Sequence, residues 1–161
     1  MGLFDIQKVE DPVKWRAHYE FGGALLLGLT WELPGSLGIV MTASKSPGHP
    51  GLAGLSETAR RAIPADALLT TVRISCTGVR GFGWIARPRA LADLKDAIGA
   101  FGRVDKFEMN RLTMAEKSLW PDAPPPYEFE EEARDLWHGL MAGHDYAVQW
   151  FCDLASLREG A

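Results

Sequence analysis

The stretch between residues 67 and 101 constrains the fold most, because two strand-like runs and a helical pattern follow one another there without a break. In the run 67–76, apolar and polar side chains alternate, which is typical of a strand with one buried face. Gly78 tolerates the positive φ that tight turns need, so the run 79–86 is predicted to return as the partner strand. The sequence therefore predicts a β-hairpin at the centre of the chain.

A helix is predicted directly after this hairpin. Pro88 can stand in the first turn of a helix without losing a hydrogen bond, and the apolar residues that follow recur at steps of three and four. Gly102 then supplies the residue type that commonly ends a helix. We expect this helix to run from Pro88 to Phe101.

Two patterns upstream predict further strands. Residues 13–21 alternate between apolar and polar side chains, and a helix over the same residues is the alternative. The runs 24–33 and 36–43 flank Pro34 and Gly35, a pair that suits the central positions of a type II turn. We interpret these two runs as a second hairpin and place it in the middle of the sheet, because parts of it are apolar on both faces.

Shorter sequence patterns predict the structure of the remaining segments before residue 120. Residues 44–54 are too rich in Gly, Pro and Ser for regular structure, so a loop is expected there. Ser56 can cap a short helix over 57–63. Residues 104–109 are expected to add a strand, and residues 112–119 a short helix.

The last third of the chain predicts a pair of helices. Residues 120–127 (WPDAPPPY) form a stiff connector, because each proline fixes φ. Apolar residues recur with helical spacing in 128–142 and again in 146–157. The predicted fold class is therefore α+β: a mixed or antiparallel sheet of about four to six strands, built from hairpins and packed by helices that include a C-terminal αα-hairpin.

The length of 161 residues suits a single domain over 1–161, with a sheet-containing part (1–119), the connector and a helical pair (128–158). Cys76 and Cys152 lie far apart in the sequence and in apolar surroundings, so we interpret them as buried apolar residues and not as a disulfide or metal site. This cysteine usage fits a reducing compartment, and the chain does not begin like a secretory signal. We expect a cytoplasmic protein that does not bind a membrane.

Charge is distributed unevenly along the chain, although the net charge is only −4. Residues 57–117 carry eleven basic and seven acidic residues, whereas residues 118–161 carry two basic and nine acidic ones. An acidic helix face is usually just solvated, but it can also dock on a basic partner. The candidate acidic docking face consists of Glu130, Glu131 and Asp135.

One predicted strand carries a motif-like pattern. The residues RGFGWIAR, from Arg80 to Arg87, resemble the RNP1 octapeptide of RNA-recognition-motif domains. The resemblance implies that alternate aromatic rings on an open sheet face stack on unpaired bases while arginines meet phosphates. The predicted hairpin places Arg73, Arg80, Phe82 and Trp84 on one face of the sheet. The candidate contacts to RNA or to a protein partner are Arg73, Arg80, Phe82, Trp84 and Arg87. The alternative is that both aromatic rings are buried beneath the C-terminal helices.

No catalytic, cofactor-binding or metal-binding motif is recognisable in the sequence. The histidines lack the spacing of a helical zinc pair, and the glycines near residue 80 do not open a helix as a phosphate-binding loop would. A Cys152 nucleophile paired with His144 is an alternative, but a cysteine between Phe151 and Asp153 is more often a packing residue. We therefore assign no catalytic residue, no cofactor and no metal ligand.

These observations favour a non-catalytic binding or regulatory protein that acts by contact with another macromolecule, as inhibitors, immunity proteins, adaptors and phage accessory or structural proteins do. We expect the partner to be another protein. Single-stranded RNA, bound through the RNP1-like strand, is the first alternative, and an enzyme with an unrecognised site is the second. The exposure of Phe82 and Trp84 separates the first two hypotheses.

Overall fold

The computed structural model describes residues 8–9, 11–32, 34–86, 102–111, 136–143 and 146–160, and most of these residues form one antiparallel sheet. Its strands are β1 (Lys8–Val9), β2 (Tyr19–Glu32), β3 (Ser36–Lys45), β4 (Leu69–Ala86), β5 (Lys106–Arg111), β6 (Trp137–Ala142) and β7 (Tyr146–Glu159). Within the same ranges, the α-helices are α1 (Pro12–His18) and α2 (Glu57–Arg61), and Pro50–Leu52 and Ala65–Leu68 form short 3₁₀ turns.

The strands follow the order β2, β3, β4, β7, β6 and β5, and each neighbouring pair is antiparallel. The short β1 pairs with the end of β7. The sheet curls until its two outer regions meet: the N–H of Gly23 donates to the carbonyl of Val104 (2.7 Å), and the N–H of Val104 donates to the carbonyl of Ala24 (2.7 Å). The described strands thus form a curled half-barrel with a concave inner face.

The core lies on this inner face. Trp15 of α1 packs near Phe107 of β5, with ring centroids 6.4 Å apart. Phe107 also contacts Phe21 of β2 (4.5 Å) and Trp150 of β7 (6.2 Å). Alternate residues of the central strands complete the core: Leu37, Ile39, Met41, Ala43, Val72, Ile74 and Cys76. We call the side of the sheet that carries these residues the inner face, and the opposite side the outer face.

Three predicted elements are confirmed. β2 and β3 form the hairpin expected around Pro34 and Gly35. α2 is capped as expected, because the Ser56 hydroxyl accepts a hydrogen bond from the N–H of Ala59 (3.1 Å). β5 lies where the sequence predicts a strand after Gly102. The hairpin is not in the middle of the sheet, however, because β2 is the first strand of the order.

The segment before β2 is a helix, so the strand predicted over residues 13–21 is wrong at its start and the alternative helix is confirmed there. Asp11 caps α1 because its carboxylate accepts the N–H of Val13 (3.1 Å), and Pro12 occupies the first turn, where its missing N–H has no cost. α1 buries Trp15 but leaves Val13 67% exposed. The alternation of the sequence therefore includes an exposed apolar residue and does not mark a half-buried strand.

β4 is one continuous strand, so the hairpin predicted at Thr77 and Gly78 is wrong. The pairing of β4 with β7 continues through this point, with Thr77 opposite Leu154. Gly78 has a φ of +64°, a conformation that favours glycine, and it marks a kink within the strand. A register shift between Val79 and Gly81 then changes which side chains face inwards.

This register shift moves Phe82 to the face opposite the predicted one. Phe82 lies in register with Trp150, which is fully buried on the inner face, and residues in register share a face of a sheet. Arg73 is exposed between Val72 and Ile74, which are both buried on the inner face, so Arg73 lies on the outer face. The prediction that Phe82 and Arg73 share one face is therefore wrong.

The predicted C-terminal αα-hairpin is also wrong, and with it the α+β fold class. β6 and β7 are antiparallel strands, with Met141 opposite Val148, and the described part of the chain is mostly antiparallel sheet. The physical reason is burial on both faces of β6. Its residues 137–141 are all buried, so no alternation of polar and apolar residues marks the segment as a strand.

Four predictions fall outside the described residues. They are the helix over 88–101, the short helix over 112–119, the connector over 120–127 and the first part of the penultimate helix, 128–135. Among the described helices, none has the length and apolar character needed to cross a membrane, and α1, the longer of the two, has seven residues.

Candidate functional site

Five polar side chains meet at the end of the sheet where β2 and β4 begin and where β3 and β7 end. At their centre, Oε2 of Glu159 accepts hydrogen bonds from the hydroxyl of Tyr19 (2.8 Å) and from Nε2 of His49 (2.7 Å). Its other oxygen, Oε1, accepts a hydrogen bond from the hydroxyl of Thr70 (3.1 Å) and lies 3.1 Å from the ammonium of Lys45. We call these five residues the Glu159 cluster.

The strand register brings the Glu159 cluster together on the inner face. Tyr19 lies opposite Lys45 in the pairing of β2 with β3. Thr70 and Glu159 each stand two residues from a buried apolar position of their own strand, and residues two apart in a strand point to the same side. Tyr19 is only 1% exposed, whereas the side chain of Glu159 is 19% exposed. The cluster is therefore buried at Tyr19 and partly exposed to solvent at Glu159 and at Lys45, whose side chain is 26% exposed.

His49 also holds the loop between β3 and α2. Its Nδ1 accepts a hydrogen bond from the N–H of Gly51 (2.9 Å), and a backbone N–H can only donate. The neutral ring therefore carries its proton on Nε2 and donates it to Glu159. Three residues earlier, the N–H of Ser46 donates to the carbonyl of His18 (2.9 Å), which ties the same loop to the end of α1.

The charge states of Glu159 and Tyr19 follow from these contacts. Burial alone would raise the pKa of Glu159, but hydrogen bonds from Tyr19, His49 and Lys45 outweigh burial and lower the pKa to about 2. Burial, and then the hydrogen bond to Glu159, raises the pKa of Tyr19. At neutral pH the centre of the cluster is therefore a carboxylate that accepts a hydrogen bond from a neutral phenol.

This arrangement suits stabilisation of the fold better than catalysis. A carboxylate has about four lone-pair positions, and in Glu159 four donors already face them. A general base also works best with a pKa near the working pH, and the pKa of Glu159 lies far below neutrality. We conclude that the Glu159 cluster ties four strands and a loop together.

His18 lies beside the Glu159 cluster without joining it. Its ring centroid is 6.2 Å from that of His49, and its buried Nδ1 has no hydrogen-bond partner among the described residues. Burial is the largest cause that lowers the pKa of His18, and electrostatic repulsion from His49 and Lys14 lowers it further. The ring of His18 is therefore neutral at neutral pH. In the part of the chain that the structure describes, no three His, Cys, Asp or Glu side chains are grouped to hold a metal ion.

The two cysteines are buried as predicted, but the structure brings them together on neighbouring strands. Cys76 lies in β4 and Cys152 in β7, with 1% and 0% of their surfaces exposed. A hydrogen bond between the two thiols, together with burial, raises the pKa of Cys152. The alternative of a Cys152 nucleophile gains no support, because a nucleophilic thiol needs a lowered pKa and access to solvent. His144 lies outside the described residues.

We expect both thiols to be protected from modification in the folded protein. Reaction with 5,5′-dithiobis(2-nitrobenzoic acid) at mildly alkaline pH should be roughly a hundredfold slower in the native protein than in denaturant, because only the exposed thiolate reacts. The measurement is the release of thionitrobenzoate at 412 nm, a wavelength set by the reagent, with about two thiols counted after unfolding. A fast native phase that disappears in Cys152→Ser would contradict the burial of this pair.

The predicted RNA contacts do not form one surface among the described residues. Arg73 lies on the outer face, and Arg80 is paired with Asp153 (3.1 Å). Phe82 is 40% exposed on the inner side, and its ring packs against Trp31, with centroids 5.1 Å apart. Other candidates are not described: Arg87, Glu130, Glu131 and Asp135 lie outside the described residues, as does the side chain of Trp84.

Trp31 and Phe82 form an exposed aromatic pair, and we call this pair the exposed patch. Trp31 is 45% exposed, and Leu27, also in β2, is 54% exposed. Trp31 lies in register with the buried Leu37, which places it at the far end of the inner face from the Glu159 cluster. Beyond Leu26, whose N–H donates to Gly102, β2 pairs only with β3 among the described residues. Among the described residues, the exposed patch therefore borders a strand edge that has no partner strand.

Comparison with known proteins adds no relative. No protein-family model matches the chain, and no curated protein or solved structure matches it significantly. The Glu159 cluster and the exposed patch are the two features on which a functional argument can stand. The sequence pointed to Phe82 as a candidate contact but not to Trp31, and it gave no sign of the Glu159 cluster, since Tyr19 and Glu159 are 140 residues apart and no local pattern joins them.

Proposed function

We propose that this protein is a non-catalytic binding protein, and that an extended segment of a partner protein binds along the second half of β2, beside Trp31 and Phe82. The observation that carries the proposal is an exposed aromatic pair next to a strand edge that no described strand covers. Soluble proteins usually protect such edges with charge, proline or a bulge. Residues 28–32 contain one charged residue, Glu32, and no proline, and the nearest irregularity in the pairing of β2 with β3 lies before them, between Leu26 and Gly28.

This edge of β2 indicates what kind of partner segment would bind there. A strand that adds to a sheet gains its affinity from backbone hydrogen bonds and its specificity from alternate side chains. Trp31 and Phe82 supply an apolar contact on one side of such a strand, and the exposed Leu27 stands four residues before Trp31 in β2. Large aromatic side chains are the usual anchors of protein interfaces. We therefore expect the partner segment to be extended, with apolar residues at alternate positions.

The test is binding by variants of the patch. Trp31→Ser and Phe82→Ser should each weaken the complex with a partner captured from the native host by roughly tenfold or more, because each removes a central anchor. Leu154→Ser is the matched control, since Leu154 is 68% exposed on β7 and is paired with Thr77, which is not part of the patch. Amide hydrogen exchange should slow at residues 28–32 in the complex. Equal affinity of all three variants, or unchanged exchange at those residues, would contradict the proposal.

Single-stranded RNA remains the second candidate, and the exposure of the Phe82 ring favours it. The separation of Arg73 from Phe82 and the pairing of Arg80 with Asp153 give it less support than a protein partner has. Treatment of the captured complex with ribonuclease distinguishes the two candidates. If recovery is lost with ribonuclease, and direct RNA binding is weakened by salt and by Phe82→Ser, RNA is the partner and the protein hypothesis is wrong.

A further inference from the structure

An open cleft of about 520 Å³ lies between the start of β2, the end of β3 and the helix α2, beside the Glu159 cluster and far from the exposed patch. Lys45 belongs to both the cleft and the cluster. The patch lies near the opposite end of β3, which has ten residues and so spans roughly 30 Å at the usual rise of a strand. The cleft is therefore a candidate site separate from the exposed patch.

Arg60 is the distinctive residue of this cleft. Its Nε donates to the carbonyl of Leu55 (3.1 Å), and its Nη1 donates to the carbonyl of Pro47 (3.4 Å). Among the described residues, no carboxylate lies within ion-pairing distance of this guanidinium, and Nη2 has no hydrogen-bond partner. Two backbone carbonyls thus orient a positive charge that no described side chain neutralises. A cation fixed in this way loses little conformational freedom when it binds an anion.

The other charged residues of the cleft largely balance one another. Arg61 forms an ion pair with Glu57 at the exposed rim, with side chains that are 79% and 75% exposed. Lys45 is held by Glu159 of the cluster. Glu20 adds one more carboxylate to the lining. Three cations and two carboxylates therefore line the cleft, and Arg60 is the cation that forms no ion pair with a described carboxylate.

The cleft also has an apolar part. Leu52 and Leu68 line it together with Pro47. Leu52 is 9% exposed, so its side chain is part of a packed wall and not a loose surface residue. An oriented cation beside an apolar wall fits a ligand with two ends of different chemistry, because small-molecule sites commonly combine apolar lining with a few placed polar groups.

We propose that the cleft binds a small amphipathic anion, whose carboxylate or phosphate head contacts Arg60 and whose apolar body lies against Leu52 and Leu68. The head gains a charge-assisted hydrogen bond from the free side of the guanidinium. Ser44, which also lines the cleft, offers a hydroxyl to the same head. This site is independent of the proposed partner surface on β2, and neither proposal needs the other.

Isothermal titration calorimetry with four probes tests the ligand class. Octanoate and octyl phosphate carry both ends of the proposed ligand, inorganic phosphate carries only the head, and octylammonium carries the same tail with the opposite charge. Octanoate or octyl phosphate should bind at least about tenfold more tightly than the other two probes, and the better of the pair identifies the head. Equal binding of octanoate and octylammonium, or no binding of either anion, would overturn the proposal.

Matched variants locate the ligand. Arg60→Gln should weaken binding of the preferred anion by about tenfold or more, whereas Arg61→Gln should change it less than about twofold, because Arg61 already pairs with Glu57. Arg60 also holds two loop carbonyls, so its variant is checked by thermal melting. If Arg60→Gln does not fold, Leu68→Asp decides, since it leaves Arg60 in place and sets a negative charge in the apolar wall. Unchanged affinity in Leu68→Asp would place the ligand elsewhere.

Discussion

Replacing Glu159 with alanine is expected to lower the free energy of unfolding by about 3 kcal/mol, because each buried donor that loses its acceptor costs about 1 to 3 kcal/mol. The hydroxyl of Tyr19 and the Nε2–H of His49 would both be left without an acceptor, and both residues are almost fully buried. Denaturant unfolding at neutral pH, followed by circular dichroism, measures the change.

The control for this substitution is another carboxylate in an ion pair. Asp153 pairs with Arg80 at 3.1 Å, but both side chains are about half exposed, so Asp153→Ala should cost less than about 1 kcal/mol. Equal losses in the two variants would show that Glu159 behaves as a surface residue. The conclusion that its cluster holds the strand ends together would then fail.

The same cluster makes stability depend on pH with a definite sign. The pKa of Glu159 is about 2 in the folded protein, below its ordinary value of 4.5, so the folded state binds fewer protons than the unfolded state between these values. The contribution of Glu159 is therefore fully present above about pH 4.5 and is lost as the pH falls through about 2. The gap in stability between the natural protein and Glu159→Ala should narrow over this range.

Local chemistry made part of the fold predictable. The turn at Pro34 and Gly35 and the cap at Ser56 each act over a few residues, so their effects can be read without knowing what packs against them. The cap at Asp11 and the first-turn proline of α1 are signals of the same kind. They outweigh the alternation of side chains that favours a strand there.

Tertiary burial explains why the last two strands were not predictable. Residues 148–152 of β7 are all buried, so this strand does not alternate between apolar and polar residues. The helical stripe predicted for the same segment includes Leu154, which is 68% exposed, whereas Val148, Trp150 and Cys152 alternate on the inner face. A strand buried on both faces and a buried helix segment cannot be told apart by periodicity alone.

The candidate sites were hidden for a related reason. One extra residue in a bulge turns every later side chain of a strand to the other face, and the register shift at Val79 and Gly81 places Phe82 beside Trp31 and not beside Arg73. The Glu159 cluster likewise depends on strand pairing, because its members come from the starts of β2 and β4, the ends of β3 and β7, and a loop. Sequence proximity carries no information about such sites.

Gly139→Ala is expected to be among the most damaging single substitutions in the sheet, with a loss of about 3 kcal/mol or failure to fold. Gly139 lies in β6 opposite Trp150 of β7, and the indole covers it. A Cβ at position 139 would lie 2.6 Å from Nε1 of Trp150 and closer still to two carbons of the ring. Trp150 is 0% exposed, so the ring has no free space into which to move.

A double-mutant cycle separates this clash from the intrinsic effect of removing a glycine. Trp150→Leu alone should cost about 3 kcal/mol by leaving a cavity, but the added cost of Gly139→Ala in that background should fall below about 1 kcal/mol, because the colliding ring is gone. Gly28→Ala in β2 is the matched control, since nothing lies within 4 Å of a Cβ there, and its effect should be small. If Gly139→Ala costs the same with and without the indole, Trp150 does not cover Gly139, and the inner face of β6 and β7 is packed differently.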